Sequence, residues 1–167
     1  MKKTYYFRDN WRCTCALRTF IKKLLSHLIY LKQVKCFFVT DGIIDDHAKR
    51  ISLLQERNHF QDMVFQPLRG GMEFGLRFLY QIKWVNASFD FKYLLKVDDD
   101  YFVCLKRLLN ELSLRPTSNL VWGHFHCEAG ITWVDEAFVI FSNDVIHKFV
   151  GQDENKRSEE RRVGKEC

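Results

Sequence analysis

Apolar residues change their spacing from segment to segment along this chain, and those changes mark out the elements. From Leu17 to Leu31 they fall at 17, 20, 21, 24, 25, 28 and 29, with Lys22, Lys23 and His27 between them, which predicts an amphipathic core helix. Val34 to Thr40 is aromatic and β-branched and stops at Asp41-Gly42, the pattern of a strand and a turn. Asp45 or Asp46 then caps a helix running towards His59. Asp62 to Gln66 reads as a short strand closed by Pro67 and Gly70-Gly71. Met72 to Val85 returns to helical spacing through Phe74, Phe78, Ile82 and Val85. A central strand follows from Phe91 to Val97, and leucines at 105, 108, 109 and 112 predict a short helix from Cys104 to Leu114. Leu120 to Gly123 and Ala137 to Phe141 are further strands, separated by polar loops around Cys127 to Asp135. Ser142 or Asn143 caps a last helix, Asp144 to Val150. Strand and helix alternate three times, which predicts βαβ units and a mainly parallel sheet.

The apolar pattern is interrupted most sharply at Asp98-Asp99-Asp100, between YLLKV and YFV. Charges set between buried segments cost free energy unless they are paired or bind metal. Three adjacent carboxylates also repel one another, and a divalent cation neutralises them. Open α/β sheets bind ligands beyond the carboxyl ends of their strands, and Mg²⁺ or Mn²⁺ takes carboxylate oxygens there alongside substrate phosphates. The motif is therefore a candidate metal site, with a solvated acidic loop as the plain alternative.

Composition narrows the picture. With 167 residues, 47% of them hydrophobic and only two prolines, the chain suits one folded domain. Arg157 to Cys167, RSEERRVGKEC, has no apolar periodicity and resembles a sequencing-adapter oligonucleotide translated in frame. Residues 1–156 are thus expected to form the domain and 157–167 a non-native tail. That tail carries four basic and three acidic residues, so without it the net charge falls from +5 to +4. No dense basic patch is present, which argues against a nucleic-acid partner. Cys13, Cys15, Cys36, Cys104 and Cys127 lack the spacing of a zinc site. Cys104 and Cys127, flanking the helix and strand after the acidic motif, are paired as an expected disulfide. Asn86-Ala87-Ser88 is a formal glycosylation sequon. No uncharged apolar run of membrane-spanning length occurs.

Several stretches, in order, resemble the β-1,3-glycosyltransferases of glycosyltransferase family 31. Arg8 to Cys15, RDNWRCTC, is similar to that family's RxxIRxTW, with Cys15 in place of the tryptophan. Glu56 with Asp62-Met63-Val64 resembles ExxxxxDIL; Glu73 to Arg77 stands where the family has NLTxK; LLKVDDDYFV is similar to KxDDDxFV. Trp84, Trp122-Gly123 and the run Ala137 to Ser142 resemble later motifs. The resemblance covers about residues 8 to 150.

What it implies is a GT-A fold, a Rossmann-like, mainly parallel sheet flanked by helices and incomplete at the C-terminus. The implied activity is inverting transfer of galactose or N-acetylglucosamine from a UDP-sugar to a 3-hydroxyl of a glycan on protein or lipid. By resemblance Asp100 is the direct ligand of Mn²⁺ or Mg²⁺, Asp98 lies at the metal or the ribose and Asp99 supports them, while Lys96, Arg77, Arg8 and Arg12 are candidates for donor contacts. The general base is expected in an acidic motif beyond the natural sequence present here, so none is assigned. Asp135 and Glu136 are placed at a turn that borders an acceptor site or is simply solvated. The resemblance also implies a Golgi membrane protein, held on the lumenal side through an N-terminal anchor that this sequence lacks. Rival readings are an inactive metal- or sugar-binding fragment and a phosphatase using Asp98-x-Asp100.

Overall fold

The computed structural model describes residues 3–9, 34–69, 74–98 and 101–152. The expected helix Leu17–Leu31, Arg12, Asp99, Asp100, Cys13, Cys15 and the segment 157–167 lie outside them. The strands are β1 (Lys3–Asp9), β2 (Val34–Ile43), β3 (Met63–Arg69), β4 (Phe91–Asp98), β5 (Val121–Glu128) and β6 (Ile131–Ser142). The helices are α1 (His47–Phe60), α2 (Phe74–Ser88), α3 (Leu105–Ser113) and α4 (Asn143–Gly151).

All six strands join one sheet in the order β3-β2-β1-β4-β6-β5. β3, β2, β1 and β4 run parallel. β6 pairs antiparallel with β4, and β5 antiparallel with β6. The expectation of a mainly parallel sheet is therefore corrected to a mixed one. Its physical reason is the short link between β5 and β6. Only a hairpin can be closed by two residues, because a parallel pair needs a crossover of a dozen or more. Ala129 and Gly130 make that link with φ of 49° and 79°, a turn with two left-handed residues that matches strand twist.

Helices cover both faces. On one, Val39, Leu94, Val139 and Phe141 from the sheet pack with Ile82 and Val85 of α2 and Ile146 of α4. On the other, Tyr93, Leu95, Val97 and Ile140 pack with Leu105, Leu108 and Leu112 of α3. The alternation Tyr93, Leu95, Val97 against Leu94 follows from the two-residue period of a strand. β4 is thus buried on both sides, which explains why its sequence is a nearly unbroken apolar run. The Tyr93 hydroxyl donates towards the Arg115 and Pro116 carbonyls at 3.2 and 3.0 Å, and burial raises its pKa.

Element ends depart from expectation where a partner strand supplies what local sequence does not. β2 continues through Asp41-Gly42 rather than turning, because β3 runs beside it as far as Ile43. A Cβ on Gly42 would lie 2.7 Å from the Gln66 carbonyl oxygen, so glycine is what permits this close approach. β3 likewise runs through Pro67; it lies at the sheet edge, where a missing N–H is tolerated. Polar loops were expected around Cys127 to Asp135, and this stretch instead forms the β5–β6 hairpin. The sequon residue Asn86 lies in the last turns of α2 with its Oδ1 buried, a poor setting for a glycan.

Ser142, fully buried, ties three elements together at the start of α4. Its Oγ accepts from the Leu120 N–H at 2.9 Å and donates to Asp144 Oδ1 at 2.6 Å. The Ser142 hydroxyl is the largest influence holding the Asp144 carboxyl below the usual range, with the Asn119 amide and Lys148 adding to it against burial. Ser142→Ala is expected to cost about 1–2 kcal/mol, since it leaves the partly buried Leu120 N–H without its partner. A carboxyl whose pKa is lower in the folded state contributes stability above its unfolded pKa of about 3.9 and loses it as pH falls through the folded value. Urea denaturation should therefore show the gap between wild type and Ser142→Ala narrowing below about pH 4. It should not close, because the Leu120 bond is independent of pH.

Candidate functional site

Strand order runs outwards in both directions from the β1–β4 boundary, through β2 and β3 on one side and β6 and β5 on the other. Open α/β sheets place their ligands at such a reversal, beyond the strands' carboxyl ends. Here those ends are Asp9 and Asp98, which face each other in the register of β1 and β4. Arg8, one residue earlier, is flanked by Phe38 and Val97. The sequence thus brings Arg8–Asp9 and Lys96–Asp98, the described parts of the RDNWR and KVDDD motifs, to one point of one edge.

Asp98 is the last residue of β4 and about one third exposed. Its Oδ1 accepts from the Lys96 ammonium at 2.6 Å, and Lys96 itself is almost fully buried. Residues 96 and 98 lie on the same face of the strand, so the pair follows from the two-residue period. Asp98 Oδ2 takes no partner among the described residues, which leaves an oxygen suited to a hard cation. Asp99 and Asp100 lie outside the described residues. The Tyr101 N–H donates to the Asp98 carbonyl at 3.3 Å as the chain turns away towards α3.

Arg77 projects from α2 to the carboxyl end of β2. Its Nε and Nη2 donate to Asp41 Oδ1 and Oδ2 at 3.1 and 3.0 Å, and Gln66 Nε2 adds a bond to Oδ1 at 2.9 Å. This bidentate pair, less than a quarter exposed, fixes α2 against β2. Beside it a cavity of about 210 Å³ is lined by Thr40, Asp41, Ile44, Asp45 and Lys49. On the far side of β4 an open cleft of about 400 Å³ is lined by Phe102, Arg107, Glu111, Arg115, Trp122 and Phe138. The Arg115 guanidinium stands 4.5 Å over the Trp122 ring, a cation–π contact.

Cys104 and Cys127 are free thiols, which corrects the expected disulfide. β4 ends level with Phe138, next to which Gly123 pairs with Val139. Cys127 lies four residues further out along β5, about 13 Å at strand spacing, and bridging needs Cα atoms within about 7 Å. Its Sγ instead meets Thr132 Oγ1 at 3.5 Å.

Asp135 is a strand residue and not part of a turn; Glu136 follows it in β6. Asp135 Oδ1 accepts from the Ala137 N–H at 2.9 Å, and Oδ2 faces His126 Nε2 at 3.3 Å and His124 Nδ1 at 3.8 Å. The Ala137 amide is the largest influence holding its carboxyl below the usual range; the His126 bond and both imidazoles add to it against burial. Sequence reasoning passed over both histidines and Asp41. The His-x-His spacing was the readable signal for the first group, since residues two apart in a strand share a face.

A family model described as Galactosyltransferase matches residues 8–138, from the end of β1 into β6 and across the acidic motif. Mouse beta-1,3-galactosyltransferase 6 is 29% identical over 93 residues, which cover 53% of this chain and 29% of that protein. The chain thus spans less than a third of that relative's length. With the match covering well over half of its residues, the chain belongs to the galactosyltransferase family, glycosyltransferase family 31.

Proposed function

We propose that this chain forms the nucleotide-sugar-binding part of a GT-A hexosyltransferase, which passes galactose or N-acetylglucosamine from a UDP-sugar to a 3-hydroxyl of a glycan on protein or lipid, with inversion. The observation that carries this reading is the place of Asp98, at the carboxyl end of β4 where the strand order reverses. Family membership supports a nucleotide-sugar donor and a glycan acceptor. The carboxylate set fits a divalent cation, Mn²⁺ or Mg²⁺, held by Asp98 and Asp100 with Asp99 supporting. Bound there, such a cation would supply positive charge to the diphosphate as the glycosidic bond breaks.

The chain's own residues orient and balance that charge. Lys96 pins one oxygen of Asp98 and leaves the other directed to the ligand. Arg8, whose backbone pairs with Val97 at that edge, and Arg12 are assigned to the diphosphate, while Arg77 acts through Asp41 by fixing the wall of the neighbouring cavity. The cleft of Phe102, Arg107, Trp122 and Phe138 offers aromatic faces and hydrogen-bond donors beside the motif, a surface suited to a sugar acceptor. A Golgi location on the lumenal side, with membrane attachment through an N-terminal anchor, belongs to the same proposal. Among the described residues no helix is long and apolar enough to cross a membrane.

Calorimetric titration of UDP with and without Mn²⁺ tests the reading. Binding that depends on Mn²⁺ is expected. Equal affinity in both titrations, or none in either, would overturn it.

A further inference from the structure

The β5–β6 hairpin extends beyond the carboxyl end of β4, and its pairing shifts between Gly123 and Phe125. Gly123 pairs with Val139 while Phe125 pairs with Val134, so β6 carries extra residues around position 136 opposite His124. Gly123 is needed for this bulge: a Cβ there would lie 2.7 Å from the Phe138 carbonyl oxygen. Beyond the bulge His126 opposes Trp133; His124 and His126, two apart in β5, share a face, and Asp135 Oδ2 meets both of them.

We propose that His124, His126 and Asp135 form a binding site for a zinc-class divalent ion. The three offer one ligand atom each, all within 4.8 Å of one another. Two ligands on a tetrahedral zinc, each at about 2.0–2.1 Å, stand about 3.3 Å apart, which is the separation of His126 Nε2 from Asp135 Oδ2. A structural His–Asp hydrogen bond accounts for that pair alone. It does not account for His124, whose Nδ1 turns to the same carboxylate oxygen although its side chain is 71% exposed and has solvent available.

The groups behind the ligands are also in place. Asp135 spends Oδ1 on the Ala137 amide, which aims Oδ2 at the histidines, and the His126 ring stacks on Trp133 with centroids 5.5 Å apart. Imidazole nitrogens with one carboxylate select zinc, cobalt or nickel over Mg²⁺ or Ca²⁺, which prefer all-oxygen shells. Three protein ligands with the exposed His124 side open leave a fourth position for water. With ligands from both strands, the ion closes the hairpin across its bulge. The site shares no residue with the acidic motif and goes beyond the transferase reading.

Co²⁺, a spectroscopic substitute for zinc, tests the proposal on the full chain in excess Mg²⁺, which competes for all-oxygen sites such as the acidic motif. Wild-type protein is expected to intensify the visible d–d bands of Co²⁺ and to lose them on addition of Zn²⁺. His126→Ala and Asp135→Asn are each expected to weaken Co²⁺ binding at least tenfold. His124→Gln, a surface change that leaves folding unaffected by circular dichroism, should do the same. Asp98→Asn should leave the bands as in wild type. Bands unchanged by the histidine substitutions, no binding at millimolar Co²⁺, or equal loss in Asp98→Asn would each overturn the site. The UDP titration with Mn²⁺ reads the transferase proposal separately, so the two fail independently.

Discussion

Phe91→Ala is expected to destabilise the fold by about 3–5 kcal/mol, the range for removing a fully buried aromatic side chain. Phe91 opens β4 and has no exposed surface; Ile82, Val85, Val139, Phe141 and Ile146 of the same cluster are each at most 3% exposed. Loss of the ring therefore leaves a cavity that α2, α4 and the sheet must all move to fill. A domain of this size is stable by only about 5–15 kcal/mol, so the loss is a large share of the total. Phe102→Ala provides the contrast: with 81% of that residue exposed, a change within about 0.5 kcal/mol is expected. Urea midpoints that move equally in the two variants would mean that the core does not lie around β4.

Prediction from sequence succeeded where one element's own residues decide its state. α1 begins at the expected aspartate, since Asp46 Oδ1 accepts from the Lys49 N–H at 3.1 Å, and α3 and β4 agree with expectation to within a residue or so. It failed for β1, where TYYF is a short run between Lys3 and Arg8 and only two flanking strands make it central. The hairpin was missed for a related reason. Where β5 and β6 overhang the sheet neither face meets a core, so Phe125, Ile131 and Trp133 are exposed and the apolar alternation is diluted by histidine and acid. Gly130 was the readable turn signal, but Ala129 before it takes a conformation that the sequence does not advertise.

The candidate site divides along the same line. The acidic motif stood out because its charges end the apolar run of β4, but the expected burial on its far side is absent: Tyr101 and Phe102 are exposed. The Lys96–Asp98 pair follows from spacing alone. Arg77 with Asp41 did not, because residues 36 positions apart meet only through the packing of α2 on the parallel block. The reversal of strand order beside Asp98 needed the register of β1, the one strand that the apolar pattern had not revealed.

Asp100→Ala is expected to weaken Mn²⁺-dependent UDP binding by at least about 100-fold, or about 2.7 kcal/mol, while leaving the fold intact. A carboxylate ligand to a hard cation supplies both charge and an inner-shell oxygen, and alanine replaces neither. The apolar anchors of β4, from Phe91 to Val97, lie before the substituted position, so the urea midpoint should hold. Lys96→Met provides a sharper test because its two effects have opposite signs. An ammonium 2.6 Å from Asp98 repels a cation bound to that carboxylate, so its removal should raise affinity for Mn²⁺ alone. If Lys96 also serves the diphosphate, the same change should lower affinity for UDP in saturating Mn²⁺. Calorimetry that measures the metal and the nucleotide in separate steps distinguishes the two effects. Nucleotide affinity unchanged by Asp100→Ala would remove the carboxylates from the site. A fall in Mn²⁺ affinity on Lys96→Met would mean that the hold of Lys96 on Asp98 outweighs its repulsion of the cation.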